Sequence, residues 1–150
     1  MKAVLQRVER AELQVAGEVR ASIGAGLVAL VGIERGDGGE DVRRMADRIA
    51  NLRFFTDEQG KMNRSILDVG GEALLVPNFT LAGSTRKGRR PSFDGALPPE
   101  EASAMFEALC AETVALGVRV QTGVFQAHMR VELVNDGPVT LLVETRGSEG

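Results

Sequence analysis

Tryptophan and tyrosine are absent from this chain of 150 residues, and its only aromatic rings are those of six Phe. Packing must rest on Val, Leu, Ile, Ala and Met, and base stacking on a Trp or Tyr platform is excluded. Cysteine occurs once, at Cys110, and histidine once, at His128. An internal disulfide cannot form, and no Cys/His cluster has zinc-ligand spacing. The expectation is a cytoplasmic protein without a metal or cofactor.

Long apolar runs are missing too. Met1-Lys2-Ala3-Val4-Leu5 opens an apolar pattern, but Gln6, Arg7, Glu9 and Arg10 interrupt it before a signal-peptide core forms. Nothing approaches the roughly 18 apolar residues of a membrane span. Net charge is −3, so the chain does not coat nucleic acid through a general positive field, and any such contact must be local. Gly24-Ala25-Gly26 lacks the rest of a dinucleotide fingerprint, and no Gly-rich stretch ends in Lys-Ser or Lys-Thr, so nucleotide hydrolysis is unsupported.

What is present suffices for one core, with 43% hydrophobic residues and no repeat or linker. A single domain is expected over 1–145, followed by a frayed polar tail over 146–150. Val4 to Ile23 alternates around the turn signal Ala16-Gly17, which predicts opening antiparallel strands. Leu27 to Ile33 is continuously apolar and reads as a strand covered on both faces. Val42, Met45, Ala46 and Ile49 share one helix face, and Leu52 to Phe55 resumes extended structure. A second helix starts at Pro98-Pro99-Glu100-Glu101, with Ala102, Met105, Phe106, Leu109 and Thr113 facing inward and Gly117 at its end. Cys110 lies on that face, as a small core residue rather than a nucleophile. Met129, Val131 and Leu133 form a half-buried strand whose polar face carries His128, and Val139 to Val143 forms the last strand. This order predicts an α/β domain of three layers, α/β/β, with two main helices on one face of mixed, barrel-like stacked sheets.

One stretch breaks the pattern. In Leu74-Leu75-Val76-Pro77-Asn78-Phe79-Thr80-Leu81-Ala82-Gly83 a proline and an amide interrupt an apolar run, so the backbone should leave regular pairing there. Asn78-Phe79-Thr80 can then aim amides at a developing oxyanion, where one donor is worth on the order of 10²–10³ in rate. An ordinary strand with a bulge is the alternative. Downstream, Arg86, Lys87, Arg89 and Arg90 lie in a long loop with no acid among them, either solvated or in contact with phosphate. A serine-type triad is not supported, because the single histidine gives Thr80 and Ser84 no evident base. Asp136-Gly137 is a hairpin signal, while Pro138 removes an amide and allows a cis bond in a tight turn.

Four further stretches stand out along the chain: Phe79-Thr80-Leu81-Ala82, Arg90-Pro91-Ser92-Phe93, Phe55-Thr56-Asp57 with Gly60-Lys61-Met62-Asn63, and Asn135-Asp136-Gly137-Pro138-Val139-Thr140. Together they resemble the D-aminoacyl-tRNA deacylases, from Met1 to about Val143. The resemblance implies a homodimer of layered α/β subunits that hydrolyses the ester between a D-amino acid, or glycine, and the terminal adenosine of tRNA. It implies that Phe79 and Thr80, with Asn78, line the ester through backbone groups while the substrate's 2′-hydroxyl assists water. It implies that Gly137 and Pro138 reach across into the other subunit and reject L-amino acids, braced by Arg7, and that Met129 lines the pocket. The family's usual Ser-Gln is Pro77-Asn78 here, and a sister branch with Pro at this place has relaxed chirality, whereas Arg7 accompanies the D-specific branch. Two alternatives stay open: that relaxed deacylase, and a non-catalytic nucleic-acid-binding relative using only the basic loop. Such relatives carry an added C-terminal tail, and the expectation from the short sequence after the last strand is the enzyme.

Overall fold

The computed structural model describes residues 1–146. Strand β1 (Lys2–Val15) turns back at Ala16-Gly17, both at positive φ, into β2 (Glu18–Ile23) and β3 (Gly26–Gly32). These two run in succession along one edge of β1, with Ala11 facing Ile23 and Val8 facing Gly26. Two parallel strands extend the sheet from β3, β6 (Glu72–Pro77) and then β7 (Arg119–Thr122). The crossovers carry α1 (Gly39–Asn51) and α3 (Pro99–Ala115), as parallel neighbours require. The first crossover also holds a small hairpin, β4 (Phe55–Thr56) with β5 (Met62–Arg64), and one helical turn, α2 (Ile66–Val69). On the free edge of β1 lies β8 (Met129–Glu144), antiparallel to it at both ends with an interruption between Asn135 and Thr140.

Each main helix follows from its apolar spacing and its first turn. In α1, Val42, Met45, Ala46 and Ile49 are buried, and Asp41 accepts the Gly38 N–H at 2.9 Å. In α3, Pro99 opens the helix ahead of Glu100 and Glu101, and Ala102, Phe106, Leu109 and Thr113 are buried while Met105 is half-buried. Thr113 satisfies its buried hydroxyl by donating to the Leu109 carbonyl at 2.7 Å. Cys110 is half-buried against the same core, and burial, followed by the nearby Glu107 carboxylate, pushes its thiol up to about 11.

Two cores lie on opposite faces of β3 and β6. Leu27, Ala29, Val31, Ala73 and Leu75 meet Ile49, Phe106 and Leu109 from the helices, whereas Val28, Leu74 and Val76 meet Leu13, Ile23 and the half-buried Met129, Val131 and Leu133. Burying each of the fully buried Val, Leu, Ile and Phe side chains among them stabilises the fold by about 1.5–3 kcal/mol. The second β layer is the same sheet curled back: the outer parts of β1, β2 and β8 cover β3 and β6 from behind. The Ser22 N–H bridges to Gln121 Oε1 of β7 at 2.8 Å, which nearly closes a barrel. The protein is thus a mixed α/β domain with a barrel-like sheet and two main helices.

Two expectations need correction. Met129–Glu144 is one strand rather than two joined by a hairpin, because both halves pair with β1: Asn135 faces Val8 and Thr140 faces Gln6. The register of a long partner strand overrides the local Asp-Gly turn signal. Arg146, expected in a frayed tail, is tethered by its Nε to Asp37 Oδ1 at 2.9 Å and by Nη2 to the Arg35 carbonyl at 2.8 Å. The remaining expected tail, 147–150, lies outside the described residues.

The Asp37 carboxylate also accepts from the Met1 ammonium at 2.6 Å, and Asp41 accepts from the Thr145 hydroxyl at 2.6 Å. Burial is the largest single influence on Asp41 and raises its pKa. The Thr145 hydroxyl, the Gly38 N–H, the Met1 ammonium and Arg146 together outweigh it and hold Asp41 below the usual carboxylate value.

Candidate active site

The three parallel strands β3, β6 and β7 all point their carboxyl ends the same way, where open α/β sheets bind ligands. Pro77 is the last residue of β6, opposite Val31, and the Asn78 N–H still reaches the Val31 carbonyl at 2.7 Å. The chain then leaves the sheet, not in a bulge but in a single 3-10 turn, Phe79–Ala82. Gly32 permits the close seat of that turn on β3, since a Cβ there would fall 2.7 Å from Leu81 Cβ. The leading amides of such a turn, those of Phe79 and Thr80, have no acceptor inside it. The Leu81 N–H closes on the Asn78 carbonyl at 3.2 Å.

Phe79 stands 60% exposed between two clefts that share Pro77, Asn78, Phe79 and Gln126. One, of ≈ 590 Å³, is largely apolar, with Ile33, Leu97 and Phe125 in its walls. The other, of ≈ 570 Å³, brings Asn78, Phe79 and Thr80 together with His128 and Met129. The structure therefore assembles Pro77, Asn78, Phe79, Thr80 and Met129 in one place. His128, expected to face away from the core, is exposed but lies just before β8 and lines this second cleft. The Thr80 hydroxyl is hydrogen-bonded to Asn78 Oδ1, so its proton is engaged locally rather than with an imidazole. The cleft thus presents two N–H groups with no acceptor inside their turn, and among the described residues the Thr80 hydroxyl is not hydrogen-bonded to an imidazole.

The basic residues form a separate feature. Ser84 and Ser92 pair through both backbone hydrogen bonds, at 2.7 and 2.9 Å, closing a loop with Arg86, Lys87, Arg89 and Arg90 exposed at its tip. None of the four lines either cleft. The connection is Phe93, whose ring meets Phe79 edge-on at 5.3 Å between centroids. Beyond it the chain is pinned to the end of β3, by Arg35 N–H to the Gly95 carbonyl at 2.9 Å and Leu97 N–H to the Ile33 carbonyl at 3.0 Å.

Arg7, Gly137 and Pro138 lie elsewhere, and neither cleft includes them. Arg7 is the β1 residue facing the excursion that β8 makes between Asn135 and Thr140. Its Nε donates to the Asp136 carbonyl at 2.8 Å, and its Nη1 donates to the Phe54 carbonyl at 3.1 Å and to Thr56 Oγ1 at 3.0 Å. The Gly137–Pro138 peptide is cis, with both residues exposed. Gly137 has φ +148, and a Cβ there would sit 2.8 Å from the Val139 nitrogen, so no other residue fits.

Sequence reasoning missed Gln126, Phe125 and Phe93 as cleft residues. Gln126 left no signal, since its positive φ of 65 is unusual for a non-glycine residue.

The sequence profile of the D-Tyr-tRNA(Tyr) deacylase family matches residues 4–144. A D-aminoacyl-tRNA deacylase of Heliobacterium modesticaldum is 58% identical over 149 residues, with 99% of each chain covered. One of Anaeromyxobacter dehalogenans is 53% identical over 97% of this chain and 98% of its own. Among solved structures, the c-Myc DNA Unwinding Element Binding Protein superposes with a TM-score of 0.93 at 38% identity, over 98% of this chain and 100% of that one. A probable eukaryotic D-amino acid tRNA deacylase shares the fold, with a TM-score of 0.79 at 18% identity over 95% of this chain and 97% of that one. The chain belongs to the D-Tyr-tRNA(Tyr) deacylase family.

Proposed function

We propose that this protein is a cytoplasmic hydrolase that cleaves the ester of D-aminoacyl-tRNA, and of glycyl-tRNA, without a metal or cofactor. The 3′ end of the tRNA enters over Phe79, with the acyl carbonyl at the amides of Phe79 and Thr80. Water adds to that carbonyl, assisted by the 2′-hydroxyl of the terminal adenosine. The oxyanion is met by the two N–H groups, the bond to the 3′-oxygen breaks, and that oxygen takes the proton. Asn78 orients the Thr80 side chain, while Pro77 and Met129 shape the wall. Arg86, Lys87, Arg89 and Arg90 hold phosphates of the acceptor end.

Stereochemical selection, on this reading, is by exclusion. Gly137 and Pro138 of the partner subunit occupy the space an L side chain would need, and Arg7 keeps their backbone in place. The observation that carries it is the separation of the two halves within one subunit. The amides of Phe79 and Thr80 line clefts that the Arg7-braced excursion does not line, although both lie on exposed surface. A homodimer that pairs the turn of one subunit with the excursion of the other joins them.

Purified protein with matched D- and L-aminoacyl-tRNA tests the proposal. Hydrolysis of the D form alone is expected, surviving chelator and falling sharply on a 2′-deoxy terminal adenosine. Equal hydrolysis of both hands would favour a relaxed deacylase. Binding without hydrolysis would favour a nucleic-acid-binding protein, the second reading, which the exposed basic loop and the name of the solved c-Myc DNA Unwinding Element Binding Protein support.

A further inference from the structure

The excursion in β8 costs strand pairing. Between Thr140, opposite Gln6, and Asn135, opposite Val8, four residues of β8 face the single residue Arg7. A ladder interrupted for four residues leaves backbone groups in need of partners, and an unsupported loop of this kind moves. Arg7 supplies one support, from the β1 side, at the Asp136 carbonyl. The returning arm at Val139, next to Thr140 where pairing with β1 resumes, has a further support within β8 itself.

The side chain of Asn135 supplies it. Its Oδ1 accepts the Val139 N–H at 2.8 Å, its Nδ2 donates back to the Val139 carbonyl at 3.2 Å, and the same Nδ2 donates to Thr140 Oγ1 at 3.0 Å. One amide thereby meets both backbone groups of a single residue, as a neighbouring strand would, and ties the two ends of the excursion together across its base. The four residues between are Asp136, Gly137, Pro138 and Val139, so the width of the loop is set by this clamp and its height by Arg7.

We infer that Asn135 is a positioning residue for stereochemical selection, acting through Gly137 and Pro138 by fixing the base of the loop that carries them. The inference rests on the reading that this loop rejects L-amino acids. Only an amide fulfils it in full: Asn135→Asp keeps the acceptor for the Val139 N–H but loses the donor to the Val139 carbonyl, and Asn135→Ala loses both.

The test compares initial rates on matched L- and D-aminoacyl-tRNA, with hydrogen exchange at the Val139 amide as an activity-independent readout. Asn135→Ala should raise the L rate by about tenfold or more while the D rate stays within about threefold, and should release the Val139 amide to exchange. Asn135→Asp should retain Val139 protection and fall between. Should Asn135→Ala fail to fold, Thr140→Val, close in shape, removes one of the three partners and should raise the L rate by a smaller factor of about two to three. The inference is overturned if the L-to-D ratio is unchanged in these folded variants, or if both rates fall together. A wild type that hydrolyses both hands equally defeats the wall reading itself and this role with it. A discriminating wild type whose ratio survives Asn135→Ala defeats only the role of Asn135.

Discussion

Removing the four cations at the tip of the basic loop is the sharpest available perturbation of tRNA binding. Arg86, Lys87, Arg89 and Arg90 are exposed, and among the described residues none of their side chains enters an ion pair or hydrogen bond within the protein. Each is therefore free to displace counterions from a phosphate. With a slope near 0.7–0.9 per contact, four contacts contribute roughly 2.8–3.6 to the dependence of log K on log salt. Between about 50 and about 200 mM salt, that is roughly 50- to 150-fold in affinity. The quadruple Ala variant should lose this salt-sensitive part, measured by anisotropy of a fluorescent tRNA across a salt series. Its net charge moves from −3 by four to −7, so a general field effect needs a control. Replacing four exposed cations elsewhere, Arg20, Arg43, Arg48 and Lys61, makes the same change in net charge. A slope unchanged in the loop variant, or reduced equally in the control, would refute a local phosphate site and leave the loop merely solvated.

Arg7→Ala removes three donated hydrogen bonds, so on the proposed reading the folded variant should hydrolyse L-aminoacyl-tRNA while D activity persists, at a stability cost of roughly 1.5–3 kcal/mol in urea unfolding. Unchanged rejection of the L form would remove Arg7 from its role. Cys110, with its thiol pushed up to about 11, should be only about a thousandth ionised at pH 8, and an alkylation rate like that of a free thiol would contradict its burial. Because the folded pKa of Asp41 is lowered from its ordinary value, its stabilising effect is complete above the unfolded value and is lost as pH falls through the folded one. Thr145→Val, which deletes the 2.6 Å hydroxyl donor, should lower stability at pH 7 and converge with the wild type in strong acid, and a pH-independent difference would refute the coupling.

Legibility from the sequence follows the range of the interaction that decides each feature. Periodicity places both main helices, because the core face of α1 is set within one helix by Val42, Met45, Ala46 and Ile49. The run from Leu27 is legible as a strand buried on both sides for the same local reason. The turn α2 goes unseen at four residues, although Ser65 and Asp68 cap it reciprocally, since a single capped turn has no periodicity to show. The basic loop shows as a charge cluster, but its closure by Ser84 and Ser92 depends on backbone pairing that no residue type specifies.

The site divides along the same line. Pro77 marks the end of β6 because proline acts locally, on its own ladder position, and Asn78, Phe79 and Thr80 follow from it in order. Gln126 and His128 join them only because β7 ends beside β6, a neighbour relation set by two helical crossovers, and neither residue carries that information. The excursion at Gly137 is the reverse case. Asp136-Gly137 signals a reversal that does not happen, because twelve residues of β8, on both sides of that signal, are paired with β1 and the cost of losing that register exceeds what one turn offers. A loop forced outward from a paired strand must then be held from both sides, by Arg7 across the ladder and by Asn135 along it. If this loop is the proposed wall, rejection of a substrate by shape depends on this support, since a wall that moves excludes nothing.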